Sequence, residues 1–181
     1  MTVAGIPGPQ GRPRGIDEHL ATVRTRLARL TPRQAAEAAR AGALLVDIRY
    51  AALRDRDGTV PGAVIVERNE LEWRLDPAGS HRVREATGHG LHVIVFCNEG
   101  YASSLAAASL HDLGLGRATD IDGGFQAWRA AGLPVTAPDG RPTVPAPPLS
   151  GTDPDPGSDS GTGSGTDSDS GSGTDSGSGS G

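Results

Sequence analysis

Short apolar segments that predict strands alternate with helical segments between residues 31 and 135. Strands that alternate with helices in this way, rather than being joined by hairpins, indicate crossover connections and therefore parallel strands. The pattern predicts one small α/β domain with a parallel sheet flanked by helices. The predicted strands are Leu44–Ile48, Ala63–Val66, His92–Phe96 and Ala118–Ile121.

Capping and turn residues mark the helices between these strands. Thr31 followed by Pro32 predicts an N-cap with proline in the first turn, and Gly42 ends the helix that they begin. The predicted helices are Pro32–Ala41, Asn69–Leu75, Ser103–Leu113 and a last one between Gly124 and Gly132.

The two ends of the chain differ from this middle part in composition. Residues 1–15 are rich in Gly and Pro and predict a loose, disordered arm, whereas residues 16–30 place Leu and Val at helical spacing. That spacing predicts an amphipathic helix docked on the domain. Residues 138–181 predict a Pro-rich linker and a tail, because the last 31 residues contain only Gly, Ser, Thr, Asp and Pro. Such a tail cannot bury apolar surface, so we expect a disordered solubilising spacer after a domain over residues 31–137.

Charge and composition argue against several classes of function. The chain has 17 basic and 22 acidic residues, every basic residue is Arg, and six of the acidic residues lie in the tail. A near-neutral domain with an acidic tail predicts no nucleic-acid partner, and the absence of Lys excludes lysine Schiff-base chemistry. No apolar stretch approaches a membrane span and no apolar leader opens the chain, so we expect a cytoplasmic protein without a membrane partner.

Cys97 is the only cysteine, and it directly follows the third predicted strand. A single cysteine excludes an intramolecular disulfide and fits a reducing compartment. The loop that follows contains Gly100 for a tight turn, and the helix predicted from Ser103 points its positive end at the same place. Both features would stabilise a thiolate, so the position predicts a nucleophile, with a buried structural cysteine as the alternative.

Four segments that occur in order along the chain carry a resemblance to a known family. Cys97–Ser103 consists of a cysteine, two residues, a glycine, two more residues and a small hydroxyl residue. The other segments are Val46–Arg49, with its Asp-x-Arg strand end, Val60–Ala63, with a Pro-Gly-Ala turn, and Asp122–Val135. These four segments resemble the active loop, strand end, turn and carboxyl-terminal signature of rhodanese-like sulfurtransferase domains.

The resemblance implies a single-domain rhodanese with a five-stranded parallel sheet and a two-step reaction. Cys97 would take a sulfane sulfur from a small-molecule or protein-bound donor, such as thiosulfate or a persulfide. The resulting Cys97 persulfide would pass that sulfur to a nucleophilic acceptor, cyanide or a thiol. Asp47 and Arg49 would support the loop as a structural ion pair, and no cofactor is implied. The loop residues implied to surround the substrate are Asn98, Glu99, Gly100, Tyr101, Ala102 and Ser103.

The loop departs from the family's common pattern in its charge. It carries Glu99 and no Arg or Lys, which favours a neutral or protein-bound persulfide over thiosulfate as the donor. Arg68 and Arg74 are candidates for a positive rim beside the cysteine or for solvated surface positions. We expect the Tyr101 ring to act as a lid and Trp128 to pack in the core.

Other functions are compatible with a cysteine in such a loop. A phosphatase or arsenate reductase needs an arginine for the oxygens of the transferred group, and neither the loop nor the first helical turn contains one. A weakly active or non-catalytic interaction module with the same fold is the remaining alternative. The histidines show no metal spacing beyond His89 and His92, so no metal is expected, and no feature indicates an oligomeric state.

Overall fold

The computed structural model describes residues 15–143, which contain two small sheets. The strands are β1 Leu44–Asp47, β2 Val64–Ile65, β3 Val93–Phe96, β4 Thr119–Asp120, β5 Val135–Thr136 and β6 Pro142–Thr143. The main sheet has four parallel strands in the order β2, β1, β3, β4, and β5 pairs with β6 in antiparallel fashion. The predicted α/β architecture with a parallel sheet is confirmed.

The expectation of five strands in the main sheet is wrong, because the fifth position is reduced to a single bridging residue. Leu30 lies beside β4 and forms an isolated parallel bridge with Ile121, and its N–H donates to the carbonyl of Asp120 at 3.0 Å. The pairing cannot continue, since Thr31 already caps the next helix and Pro32 has no N–H to donate.

Helices cover the main sheet in the described part of the chain. They are α1 Ile16–Arg24, α2 Pro32–Arg40, α3 Ala51–Asp57, α4 Leu71–Leu75, α5 Ala102–Asp112 and α6 Gly124–Ala130, with a 3₁₀ turn at Arg68–Glu70. Helix α2 begins where its signals predict: the Thr31 hydroxyl accepts from the Gln34 N–H, and the Gln34 side chain accepts from the Thr31 N–H. Among these helices, none combines the length and apolarity that crossing a membrane requires.

Helix α1 is shorter than the helix predicted over residues 16–30. It ends at Arg24. The N–H groups of Arg26 and Leu27 then donate to carbonyls three residues back, which is the spacing of a 3₁₀ turn rather than of an α-helix. Thr22 and Thr25 lie in this last turn, and both donate their hydroxyls to main-chain carbonyls, which competes with a regular helix. The chain then straightens towards Leu30, because the bridge to the sheet edge requires an extended backbone.

Each face of the main sheet carries its own apolar core. Neighbouring residues of β3 alternate between the faces: Val93 and Val95 pack with α4 and α5, whereas Ile94 and Phe96 pack with α2 and α6. Every residue of β3 is fully buried. A strand buried on both faces reads as a continuous apolar run, which is why the sequence predicted β3 so clearly.

Helix α3 and the strands β5 and β6 were not predicted from the sequence. Helix α3 buries none of its residues, so it has no apolar stripe; contacts of Arg54 with the carbonyl of Arg49 and with Glu67 hold it in place. Strand β6 lies within residues 138–181, the predicted linker and tail, and pairs with β5. The predicted arm and tail otherwise fall on residues 1–14 and 144–181, outside the described residues.

Candidate active site

Cys97 lies at the carboxyl end of β3, the place where open parallel sheets bind their ligands. Hydrogen bonds from two neighbouring segments fix the main chain at the carbonyl that precedes it and at its own carbonyl. The carbonyl of Phe96 accepts from the Ile48 N–H at 3.0 Å, and the carbonyl of Cys97 accepts from the Phe125 N–H at 2.9 Å. The thiol is half-buried, so it is held rigidly but is not sealed from solvent.

Two groups contact the sulfur. The Gly100 N–H donates to Cys97 Sγ at 3.1 Å, and the Cys97 thiol lies 3.4 Å from Ser103 Oγ, to which it donates when protonated. Of the loop N–H groups, that of Gly100 is the one within hydrogen-bond distance of Sγ in the described structure. The loop therefore supplies one direct amide to the sulfur, fewer than a cradle of several converging amides.

Glycine is required at the two points where the loop meets the carboxyl-terminal signature. Gly100 has a φ of +79°, and a Cβ there would lie 2.8 Å from the main-chain nitrogen of Gly123. A Cβ on Gly124, whose φ is +60°, would lie 2.5 Å from the carbonyl oxygen of Cys97. These are main-chain atoms that cannot swing away, so the two segments touch only because neither position carries a side chain.

A cavity of about 250 Å³ opens in front of the sulfur. Ile48, Tyr50 and Leu53 form an apolar wall, and Arg68 and Glu99 contribute opposite charges to the same cavity. A larger cavity of about 580 Å³, lined by residues such as Ala39, Leu45 and Trp128, lies elsewhere and does not include Cys97. The smaller cavity is the one that bears on chemistry at the thiol.

The structure divides the predicted loop residues into two groups. The residues that line the cavity are Asn98, Glu99, Tyr101 and Ala102. Gly100 and Ser103 are instead buried behind the sulfur, so they contact Sγ without facing the cavity. Tyr101 is 56% exposed at the cavity edge, a position suited to a lid. The expected core packing of Trp128 holds, since the ring is 3% exposed and its Nε1–H donates to the carbonyl of Pro134.

Arg68 and Arg74, the two candidates for a positive rim, lie in different surroundings. Arg68 lines the cavity and donates to Glu72 at 3.0 Å, whereas Arg74 donates to the carbonyl of His81 beside the exposed Trp73 ring. Only Arg68 among these two therefore contributes positive charge at the cysteine.

Asp47 and Arg49 form a buried ion pair beneath the cavity. Arg49 Nη2 donates to Asp47 Oδ2 at 2.7 Å and to the carbonyl of Gly58 at 2.8 Å. The guanidinium also stacks on the Phe125 ring, 3.6 Å from its centroid. The pair thus links the end of β1 to Gly58, directly after α3, and to α6.

A polar network behind the loop was missed by sequence reasoning. Asp120, fully buried in β4, accepts from Ser103 Oγ at 3.2 Å and Ser104 Oγ at 2.8 Å. Arg29 donates to both Asp120 carboxylate oxygens, at 2.9 Å and 3.2 Å. An aspartate inside a short predicted strand was the available signal, because a buried carboxylate requires a partner.

Arg29 stays positively charged despite its partial burial. Burial alone would lower the pKa of Arg29, but hydrogen bonds and charge attraction from Asp120 and Asp122 raise it overall. Arg29 is therefore a permanent cation that compensates the buried Asp120 carboxylate. Across residues 15–143, no three His, Cys, Asp or Glu side chains cluster in a way that could hold a metal ion.

The family model of the rhodanese-like domain matches residues 31–131. This chain belongs to the rhodanese-like domain family. The matched region runs from the cap of α2 to the end of α6, so it contains the cysteine loop and the buried ion pair of this rhodanese-like domain. It leaves out α1, Arg24 and Arg29.

Curated relatives carry transferase names. A sulfurtransferase from Allochromatium vinosum is 33% identical over 97 residues, which are 54% of this chain and 81% of that protein. The thiosulfate sulfurtransferase GlpE from Ectopseudomonas mendocina is 33% identical over 102 residues, which are 56% of this chain and 84% of that protein.

Solved structures share the fold. A Rhodopseudomonas palustris protein of unknown function, described as a possible tyrosine phosphatase, is 32% identical with a TM-score of 0.62, covering 71% of this chain and 99% of its own. The polysulfide-sulfur transferase homodimer from Wolinella succinogenes is 21% identical with a TM-score of 0.53, covering 66% of this chain and 85% of its own. The latter likeness is one of fold.

Proposed function

We propose that this rhodanese-like domain is a sulfurtransferase that carries a sulfane sulfur as a persulfide on Cys97. The observation that carries the proposal is the half-buried thiol, which accepts the Gly100 N–H at 3.1 Å and opens on a cavity of about 250 Å³. A hydrogen bond to the sulfur favours the thiolate, which is the nucleophilic form. The two curated relatives named as sulfurtransferases support the same chemistry.

The first step forms the persulfide. The Cys97 thiolate attacks the outer sulfur of the donor, a new S–S bond forms, and the donor's own bond to that sulfur breaks. With thiosulfate the leaving group is sulfite, which takes the bonding electron pair; with a thiol persulfide the leaving group is the thiolate. No external oxidant or reductant is needed, because the sulfane sulfur arrives already at the oxidation level of the product.

The second step returns the cysteine to its starting state. An acceptor thiolate or cyanide attacks the outer sulfur of the Cys97 persulfide, and the Cys97 sulfur leaves as a thiolate. The cavity has room for a small acceptor beside the apolar wall of Ile48, Tyr50 and Leu53. The two half-reactions predict ping-pong kinetics.

Charges in the cavity bear on the choice of donor. Glu99 repels an anionic donor, whereas Arg68 attracts one, although Glu72 already accepts from Arg68. The negative charge of Glu99 lies on the cysteine loop itself, and the positive charge of Arg68 is shared with its partner. We therefore infer a preference for a neutral or protein-bound persulfide over thiosulfate.

Phosphatase chemistry fits this site poorly, although one relative of known structure is described as a possible tyrosine phosphatase. The loop from Asn98 to Ser103 contains no arginine to bind the oxygens of a phosphoryl group. Arg24 donates to the carbonyl of Gly100 but is not among the residues that line the cavity.

Intact-mass measurement tests the proposal. The wild type should gain about 32 Da, one sulfur atom, on exposure to an organic persulfide, and should lose it on addition of a thiol or cyanide. Cys97→Ser is nearly isosteric and should show no gain, and because the chain has one cysteine the site of loading is unambiguous.

Two controls complete this experiment. Thiosulfate should load the wild type more slowly than the persulfide, and p-nitrophenyl phosphate should not be hydrolysed. A wild type that takes up no sulfur from either donor would refute the proposal and favour a non-catalytic interaction module.

A further inference from the structure

Two arginines from residues 15–30, the N-terminal segment, reach the active loop from behind. Arg24 Nη2 donates to the carbonyl of Gly100 at 2.8 Å, and Arg24 Nε donates to Ser104 Oγ at 3.1 Å. Arg29 Nη2 donates to the same carbonyl at 3.3 Å. Gly100 is therefore held on both sides, since its N–H donates to Cys97 Sγ at 3.1 Å.

The two arginines differ in how their charge is used. Arg29 pairs with the buried Asp120 at 2.9 Å and with Asp122 at 2.7 Å, so its charge is compensated. Arg24 has no carboxylate within ion-pair distance among residues 15–143; its partners are Gly100, Ser104 and the Tyr101 ring, 5.6 Å from the ring centroid. Arg24 thus directs an uncompensated positive charge at a loop that contains no cation of its own.

Apolar packing fixes the position of Arg24. Val23, the residue before it, and Leu27 pack on Ala107 and Ala108 of α5. Helix α5 begins at Ala102, immediately after the cysteine loop, so the segment docks on the helix that carries that loop. Docking of the segment and contact with the Gly100 carbonyl are therefore coupled events.

We propose that the N-terminal segment is part of the active site, and that Arg24 is a positioning residue for Cys97. Its hydrogen bond to the Gly100 carbonyl orients the loop so that the Gly100 N–H stays on the sulfur, where it stabilises negative charge as the cysteine reacts. Gly100 needs such a restraint, because a residue with no side chain and a φ of +79° loses more chain entropy on ordering than any other. The role in turnover rests on the proposed sulfurtransferase function, whereas the effect on the thiolate does not.

Alkylation of the single cysteine by iodoacetamide, a neutral reagent, tests the effect on the thiolate directly. Arg24→Gln should slow alkylation at pH 7 by about three- to tenfold, because the Gly100 N–H is no longer held against the sulfur and a hydrogen bond worth roughly 1 kcal/mol is weakened. The second-order rate constant for sulfur transfer should fall by a similar factor. Circular dichroism establishes that the variant is folded at the assay temperature.

Arg26→Gln is the matched control. Arg26 lies in the same segment, but its side chain is 54% exposed and pairs with the exposed Asp112 at 3.2 Å. This change should leave the alkylation rate within about twofold of the wild type. Arg24→Lys keeps the charge but cannot reach both partners of the guanidinium, so its rate should lie between those of the wild type and Arg24→Gln.

Several results would overturn the inference. They are an Arg24→Gln variant that alkylates at the wild-type rate at pH 7, one that alkylates faster, or an equal loss in Arg26→Gln. If Arg24→Gln does not fold, Arg24→Lys decides, and a wild-type alkylation rate in that variant overturns the positioning role. Failure of the proposed function looks different: the wild type would take up no sulfur, yet Arg24→Gln would still slow alkylation.

Discussion

Asp47→Asn should lower the free energy of unfolding by about 3–5 kcal/mol, because it removes the carboxylate that is paired with the buried Arg49 guanidinium. The Arg49 side chain is 0% exposed and that of Asp47 is 1% exposed, so water cannot replace the lost carboxylate. The Gly58 carbonyl and the Phe96 and Phe125 rings stay beside the guanidinium but carry no full negative charge. Asp57 also attracts Arg49, but its carboxylate is already paired with Arg56 and Arg129. Such a loss is a large part of the stability of an ordinary domain.

Urea unfolding followed by tryptophan fluorescence measures this change, since Trp128 is 3% exposed in the fold and becomes solvated on unfolding. With a slope of about 1.5 kcal/mol per molar urea, the midpoint should fall by about 2–3 M. Asp112→Asn is the matched control. It makes the same chemical change in an exposed pair with Arg26, and it should cost less than about 1 kcal/mol.

The double variant Asp47→Leu/Arg49→Met separates the cost of an unpaired charge from the loss of contacts. It should be more stable than Asp47→Asn, because the charge is removed together with its partner. A midpoint shift below about 0.5 M in Asp47→Asn would refute the reasoning about the buried charge. Unchanged stability with lost sulfur transfer would instead assign Asp47 to the chemistry.

Two further predictions concern charge at the cavity and at the start of β3. Glu99→Gln should raise the second-order rate constant with thiosulfate by roughly three- to tenfold, and more at low salt, while a neutral organic thiosulfonate gains much less; an equal change for both donors would contradict the electrostatic account. Burial, followed by the charge of Arg117, lowers the pKa of His92, so the unfolded chain binds more protons and stability should fall as the pH drops below about 6.5. The urea midpoint of His92→Gln should therefore fall less between pH 7.5 and 5.5 than that of the wild type. An equal fall in both proteins would show that His92 does not cause the loss of stability.

Local signals predicted the elements whose determinants lie within a few residues of one another. Helix α2 starts at its capping box, and β3 is an apolar run buried on both faces. The position of Cys97 after β3 and before α5 follows from the same signals, which is why the sequence alone selected the candidate nucleophile. These features depend on local backbone hydrogen bonding and on the periodicity of apolar residues, both of which are largely determined by neighbouring residues.

Elements held by distant contacts were missed or misjudged. Helix α3 has no apolar stripe and depends on the contacts of Arg54 with Arg49 and Glu67. Strand β6 exists because Pro142 and Thr143 pair with β5. The fifth strand of the main sheet was implied by the family, but Thr31 and Pro32 begin a helix at that edge and limit the pairing to one bridge.

The sequence by itself determined the architecture and the cysteine, whereas the tertiary structure decided which groups surround the sulfur. Cys97 and Gly100 are three residues apart, so a loop motif suffices to bring them together. Arg24 and Gly100 are 76 residues apart, and only the packing of α1 on α5 brings the guanidinium to the carbonyl. Likewise, Asp120 meets Ser103 because β3 and β4 are neighbours in the sheet. Spacing along the chain carries no information about such pairs, since their proximity results from burying apolar surface at other residues.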